Sequence, residues 1–150
     1  QTVHIFAEHT CRTTFDLVEH IKRKYPIQLA KGAITCYPDA SGSHASTSST
    51  ESDHDILRNA GIKVIAERRN PPVSETVAHA NLHIHAGRIL VNPTTCPETV
   101  ESLENWGYDE SYRPMKGSKN DLSHAGDAVR YLAWQTMPRA TAHFSRPRWR

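Results

Sequence analysis

The sequence predicts an α/β sandwich, a mixed sheet flanked by helices and folded as one domain. Three observations carry this reading. Short apolar runs bounded by Gly or Pro alternate along the chain with longer stretches of helical periodicity. The 150 residues, 37% of them hydrophobic, are enough to bury one core and too few for two. No segment repeats at the periods of solenoids or propellers.

The elements follow in order. Between Thr2 and Ala7, Val3, Ile5 and Ala7 alternate with His4 and Phe6, as in a strand. Thr13 or Thr14 can cap the next helix and Asp16 favours its positive end. Leu17, Val18, Ile21 and Tyr25 then fall at helical spacing until Pro26 stops it. Ala33 to Tyr37 is an apolar run between Gly32 and Pro38, the pattern of a buried central strand. Ser41 to Ser52 is almost wholly small and polar and reads as a mobile loop within the domain. Ser52 offers a cap for a short helix through Ile56 and Leu57, closed by Gly61, and Ile62 to Ala66 is another strand. Pro71 and Pro72 start a helix running to about Ala86 with Gly87 as its stop, and Arg88 to Val91 is a further strand. A helix from Pro97 carries Val100, Leu103 and Trp106, and the last helix runs from about Leu122 to Thr136.

The formal charge of +2 excludes a polycation that coats nucleic acid indiscriminately, so any DNA contact has to come from local patches. Cys11, Cys36 and Cys96 lack CxxC spacing and are odd in number, which argues for reduced core or loop thiols. No apolar run approaches the roughly 20 residues that span a bilayer, and the N-terminus lacks the order of a secretion signal. A soluble intracellular protein without membrane contact is expected. The start at Gln1, inside a strand pattern, suggests a piece of a longer polypeptide.

Asp39 lies just past the carboxyl end of a predicted central strand, where open α/β sheets present ligands. Pro-Asp-Ala-Ser-Gly is equally an ordinary turn, with Asp bonding nearby backbone. In the last helix, Leu122, Ala125, Val129, Leu132 and Ala133 form an aliphatic stripe, and His124, Asp127, Tyr131 and Trp134 cluster elsewhere. Asp127 is thus a ligand or a solvated surface acid. His124, one turn earlier, either orients it or bonds a neighbouring loop. Phosphodiester hydrolysis without a covalent intermediate usually draws on two hard cations, and these want carboxylate oxygens from different elements. The ten histidines include His79 and His83 at i and i+4 spacing, one that can bind zinc. Without the Glu of HExxH or a clear third ligand, they read better as solvent-facing residues of an amphipathic helix.

The segment Asp121-Leu-Ser-His-Ala-Gly-Asp-Ala-Val-Arg-Tyr131 resembles the C-terminal motif of phage terminase large subunits, a His followed three residues later by Asp-Ala-x-Arg-Tyr. Tyr37-Pro-Asp-Ala-Ser-Gly42 resembles that family's second acidic motif, and Arg69-Asn-Pro-Pro-Val73 a segment found between the two in one branch. The resemblance runs from Thr2 to Met137 and defines a nuclease domain over 1–137, followed by a basic tail over 138–150. It implies an RNase H-like fold lacking its first strand. The implied activity is a metal-dependent endonuclease that cuts concatemeric double-stranded DNA during packaging, using Mg2+ or Mn2+ in a two-metal site. Asp39 and Asp127 match the second and third metal-binding acids, with His124 as orienter. The family's first acid comes from a strand that would precede Thr2, and no Asp fills that role here. Weak or no metal binding and little cleavage by this chain are therefore expected.

The resemblance also implies partners: double-stranded DNA, an ATPase domain of the same polypeptide, the portal protein and the terminase small subunit, in the host cytoplasm. No GxxxxGK[ST] loop occurs, so ATP hydrolysis falls to another part of the parent. Glu8 resembles an acid closing the fold's third strand and is kept as a group near the metals. Asp121 either touches metal or caps the last helix. Arg68, Arg69, Arg113, Lys116 and Lys119 bracket the acidic motifs in loops, as phosphate contacts or as solvated charge. The tail from Arg139, basic with Phe144 and Trp149 interleaved, either binds DNA or the portal or is disordered. Two rival readings remain: a DNA-gripping or portal-docking module without activity of its own, and another RNase H-like nuclease of resolvase or transposase type.

Overall fold

The computed structural model describes residues 1–44, 51–107, 115 and 122–139. Its elements follow the predicted alternation: β1 (Val3–Ile5), α1 (Thr14–Lys24), α2 (Pro26–Ala30), β2 (Thr35–Cys36), α3 (Asp53–Asn59), β3 (Lys63–Val64), α4 (Val73–His85), β4 (Ile89–Val91), α5 (Pro97–Asn105) and α6 (Ser123–Thr136).

The helix ends have local causes. Thr13 and Asp16 form a reciprocal capping box, each side chain bonding the other's backbone N–H, which satisfies two of the orphan donors that open α1. Ser52 caps α3 by accepting from the Asp55 amide. Gly61 and Gly87 follow α3 and α4 at φ of 83° and 64°, the left-handed conformation that ends a helix without Cβ strain. Pro26 ends α1 as the sequence predicts but also opens a second short helix, α2. Its fixed φ and missing N–H suit the first helical position.

The sheet departs from expectation. Instead of one mixed sheet, the described strands form two parallel pairs, β1 with β4 and β2 with β3. Val3, His4 and Ile5 face Ile89, Leu90 and Val91, and Thr35 and Cys36 face Lys63 and Val64. The ladders are shorter than the apolar runs that foretold them. β2, α3 and β3 make a compact βαβ unit, the connection a parallel pair requires.

The core is correspondingly divided. Val18, Ile56, Leu57 and Ile62 pack together with Leu17, Ile21, Leu29 and Ile34 around the β2–β3 pair. Ala80, Ile89, Val129, Ala133 and Met137 form a second cluster with Val3, Ile5, Ile84 and Leu103 around the β1–β4 pair.

The buried face of α6 differs from the predicted stripe. Val129 and Ala133 are buried as expected, but they share that face with Ser123, Gly126 and Arg130, while Leu122, Ala125 and Leu132 are only half-buried. The rotation follows from α5. The Gly126 amide donates to Ser102 Oγ at 2.8 Å, and Ser102 Oγ donates to the Leu122 carbonyl. A helix whose backbone is bonded by its neighbour turns its small residues inward. No helix among the described residues is long and apolar enough to cross a membrane.

Candidate active site

Asp39 stands in the turn that leaves β2. Its Oδ1 accepts from Ser41 Oγ at 2.8 Å and from the Gly42 amide at 3.2 Å, so the turn reading of Pro-Asp-Ala-Ser-Gly holds at the level of hydrogen bonds. Neither bond uses Oδ2. His54 Nε2 lies 2.9 Å from the Asp39 carbonyl and fixes the backbone on the other side. The next residue, Ala40, donates its amide to Asn70 Oδ1 at 2.6 Å. This bond joins the second acidic segment to Arg69-Asn-Pro-Pro-Val73, thirty residues later in the chain.

Asp127 lies on the first half of α6 and meets a partner the sequence did not single out. Arg130 Nε donates to its Oδ1 at 2.6 Å. The Arg130 side chain is 2% exposed and that of Asp127 19%, so the pair is largely withdrawn from water and its attraction is poorly screened. The guanidinium is itself held. Nη1 donates to Thr76 Oγ1 on α4 at 3.0 Å and Nη2 to Tyr131 Oη at 3.1 Å, and the Arg130 Cζ lies 4.2 Å from the Tyr131 ring centroid. The signal available in the sequence was the i, i+3 spacing of Asp127 and Arg130. Thr76, 54 residues away, could not have been foreseen.

One short stretch therefore serves both acidic segments, since Asn70 bonds the Asp39 turn and Thr76 bonds the arginine that holds Asp127. Asp39 bonds Ser41 and Gly42, and Asp127 bonds Arg130. His124 is exposed in the first turn of α6. The group seen on Asp127 Oδ1 is Arg130. Arg68 and Arg69 are exposed in the loop between β3 and α4. Arg113, Lys116, Lys119 and Asp121 lie outside the described residues, as do 45–50 of the predicted loop and 140–150 of the tail. Arg139 is described: it pairs with Glu67 at 2.9 Å and covers the Trp134 ring, with Cζ 4.4 Å from the centroid.

Glu8 has a structural task. Its carboxylate accepts from the Glu98 amide at 2.9 Å, the Thr99 amide at 2.8 Å and Thr99 Oγ1 at 2.7 Å, at the N-terminus of α5. Burial alone would push its carboxyl up, but these bonds outweigh it and hold the group below its ordinary value. Glu8 thus anchors α5 to the end of β1.

The solvent-facing reading of His79 and His83 is overturned. Both are buried between α4 and α6, because the apolar face of α4 turns this side toward its neighbour. His79 Nε2 lies 3.2 Å from the Ala133 carbonyl and His83 Nε2 3.2 Å from that of Pro138. The two rings meet edge-on at 4.7 Å, and His79 meets Trp134 at 5.4 Å. Cys11, Cys36 and Cys96 are free thiols.

A hard divalent cation suits the donor chemistry of Asp39 and Asp127, both carboxylates, better than a transition metal does. No group of three or more His, Cys, Asp or Glu side chains among the described residues is arranged to hold a metal ion. No protein-family model matches the chain, and no curated protein or solved structure does.

Proposed function

We propose that the chain is the endonuclease domain of a phage DNA-packaging terminase, an RNase H-like hydrolase of phosphodiesters that works with Mg2+ or Mn2+ on concatemeric double-stranded DNA. The observation that carries the proposal is the bonding of Asp127 to a buried arginine anchored on α4, in a chain whose Asp127-Ala-Val-Arg-Tyr131 matches the family's last acidic motif. Asp39 and Asp127 are the residues that would hold cations, which supply charge neutralisation at the scissile phosphate and a water that deprotonates near neutral pH. The chain's own work is to aim these two acids, through the Ser41–Gly42 turn for one and Arg130 for the other. Arg68 and Arg69, exposed beside Asn70, are suited to binding phosphates near the cut. Host cytoplasm is the setting, with the ATPase domain of the same polypeptide, the portal and the small subunit as partners.

The test is nicking of supercoiled plasmid with Mn2+, comparing this chain with one extended upstream to include an acidic strand. Asp39→Asn and Asp127→Asn are to be made in the longer protein. Asn is preferred to Ala at 127 because its amide oxygen can still accept from Arg130 Nε, whereas Ala leaves the buried guanidinium without that bond as well as without its counter-charge. Nicking by the longer protein, reduced at least about a hundredfold by either substitution, is expected. Failure of the longer protein to nick at all would leave the rival reading, a gripping or docking module without activity.

A further inference from the structure

We infer that Arg130 is a positioning residue for cation capture: it fixes the angle of the Asp127 carboxylate, and Thr76 and Tyr131 fix Arg130. The inference rests on the endonuclease reading above. A buried ion pair adds little net stability, because desolvation of both charges offsets their attraction. What a guanidinium adds is geometry. Its planar fork presents Nε to Asp127 at 2.6 Å while Nη1 and Nη2 engage Thr76 and Tyr131 at 3.0 and 3.1 Å, one anchor for each nitrogen. Lysine, a single flexible point charge, cannot make all three at once. Thr76 is in turn fully buried, with its hydroxyl donating to the Val73 carbonyl at 2.9 Å in the first turn of α4. The carboxylate is therefore set by α4 as much as by α6.

The positive charge on Arg130 opposes a cation at Asp127, whereas its aim assists one. Variants that keep the charge and loosen the aim separate the two effects. Thr76→Val and Tyr131→Phe remove one anchor each and leave the guanidinium in place; Thr76→Ser restores the hydroxyl. The readout, in the protein extended upstream to include an acidic strand, is line broadening of the Asp39 and Asp127 amide resonances by Mn2+ alone, with thermal melts recorded in parallel. In Thr76→Val and in Tyr131→Phe the Mn2+ concentration at half-broadening of Asp127 is expected to rise about tenfold, the usual effect of losing a ligand's supporting group. Asp39 should change less, and Thr76→Ser should return to the parent value. Unchanged half-points in both Thr76→Val and Tyr131→Phe, alongside a response lost in Asp127→Asn, would overturn the positioning role and leave the endonuclease reading standing. If Asp127→Asn broadens as the parent does, Asp127 takes no cation, and the metal reading falls together with the inference built on it.

Discussion

A Cβ on Gly126 would stand 2.7 Å from Trp106 Cε3 and 2.9 Å from Ser102 Oγ, closer than real side chains pack. The absent side chain lets α6 lie against α5 with its amide bonded to Ser102. Gly126→Ala gains about 1 kcal/mol of helix propensity. It loses more to the collision, and a net destabilisation of about 1–3 kcal/mol in urea melts is expected. Because Gly126 directly precedes Asp127, the same variant should shift the Asp127 amide resonance. Glu8 makes a prediction about acid. Its folded-state pKa lies below the ordinary 4.5, so its stabilisation is complete above that value and is lost as pH falls through the lower folded value. Glu8→Gln should destabilise by about 1 kcal/mol near neutrality, through the weakened hold on the N-terminus of α5. It should also flatten the acid limb of the stability curve measured below pH 4.5.

The seam between α4 and α6 is built from residues that carry no local signal of burial. Ser52, Thr13, Gly61 and Gly87 announced their helix ends because capping and left-handed turns act over three or four residues. A helical wheel, by contrast, tells which residues share a side and not what covers them. On a wheel alone His79 and His83 therefore read as surface groups and Arg130 as one more charged residue, although all three line this seam. The burial of His79 has a measurable sign. Burial pushes its pKa below the ordinary 6.5, with the neighbouring His83 and Arg139 acting the same way and the bond to the Ala133 carbonyl opposing them. The unfolded chain takes the proton more readily, so the His79 contribution is complete above pH 6.5 and is lost as pH falls through the lower folded value. A melting temperature that drops on acidification below 6.5, less steeply in His79→Gln, is the expected outcome. Calorimetry across that range checks it, and an identical slope in the variant would refute the assignment.

On the scale of the whole molecule, the alternation of strands and helices was legible because each element carries its own period. The grouping of strands was not, since pairing is decided by contacts far apart in the chain. The same holds for the site. Asp39 was readable as a strand-end acid, whereas the Asn70 bond to Ala40 and the Thr76 bond to Arg130 depend on packing that no local pattern encodes. The two apolar clusters form separate cores, so truncation in one should be felt first within it. Leu57→Ala, deep in the β2–β3 cluster at 3% exposure, should cost about 2–5 kcal/mol. Amide exchange should accelerate around α1 and α3 before it does in α6.

Thr76 and Arg130 also determine what could be transplanted. A segment copied from α6 alone would carry the acid and its arginine into a foreign scaffold but leave the guanidinium without its hydroxyl, free to swing and take the carboxylate with it. The smallest portable unit is the pair formed by the first turn of α4 and the part of α6 from Ser123 to Tyr131, joined side chain to side chain. Any graft, or any natural drift of this surface, has to carry both halves together.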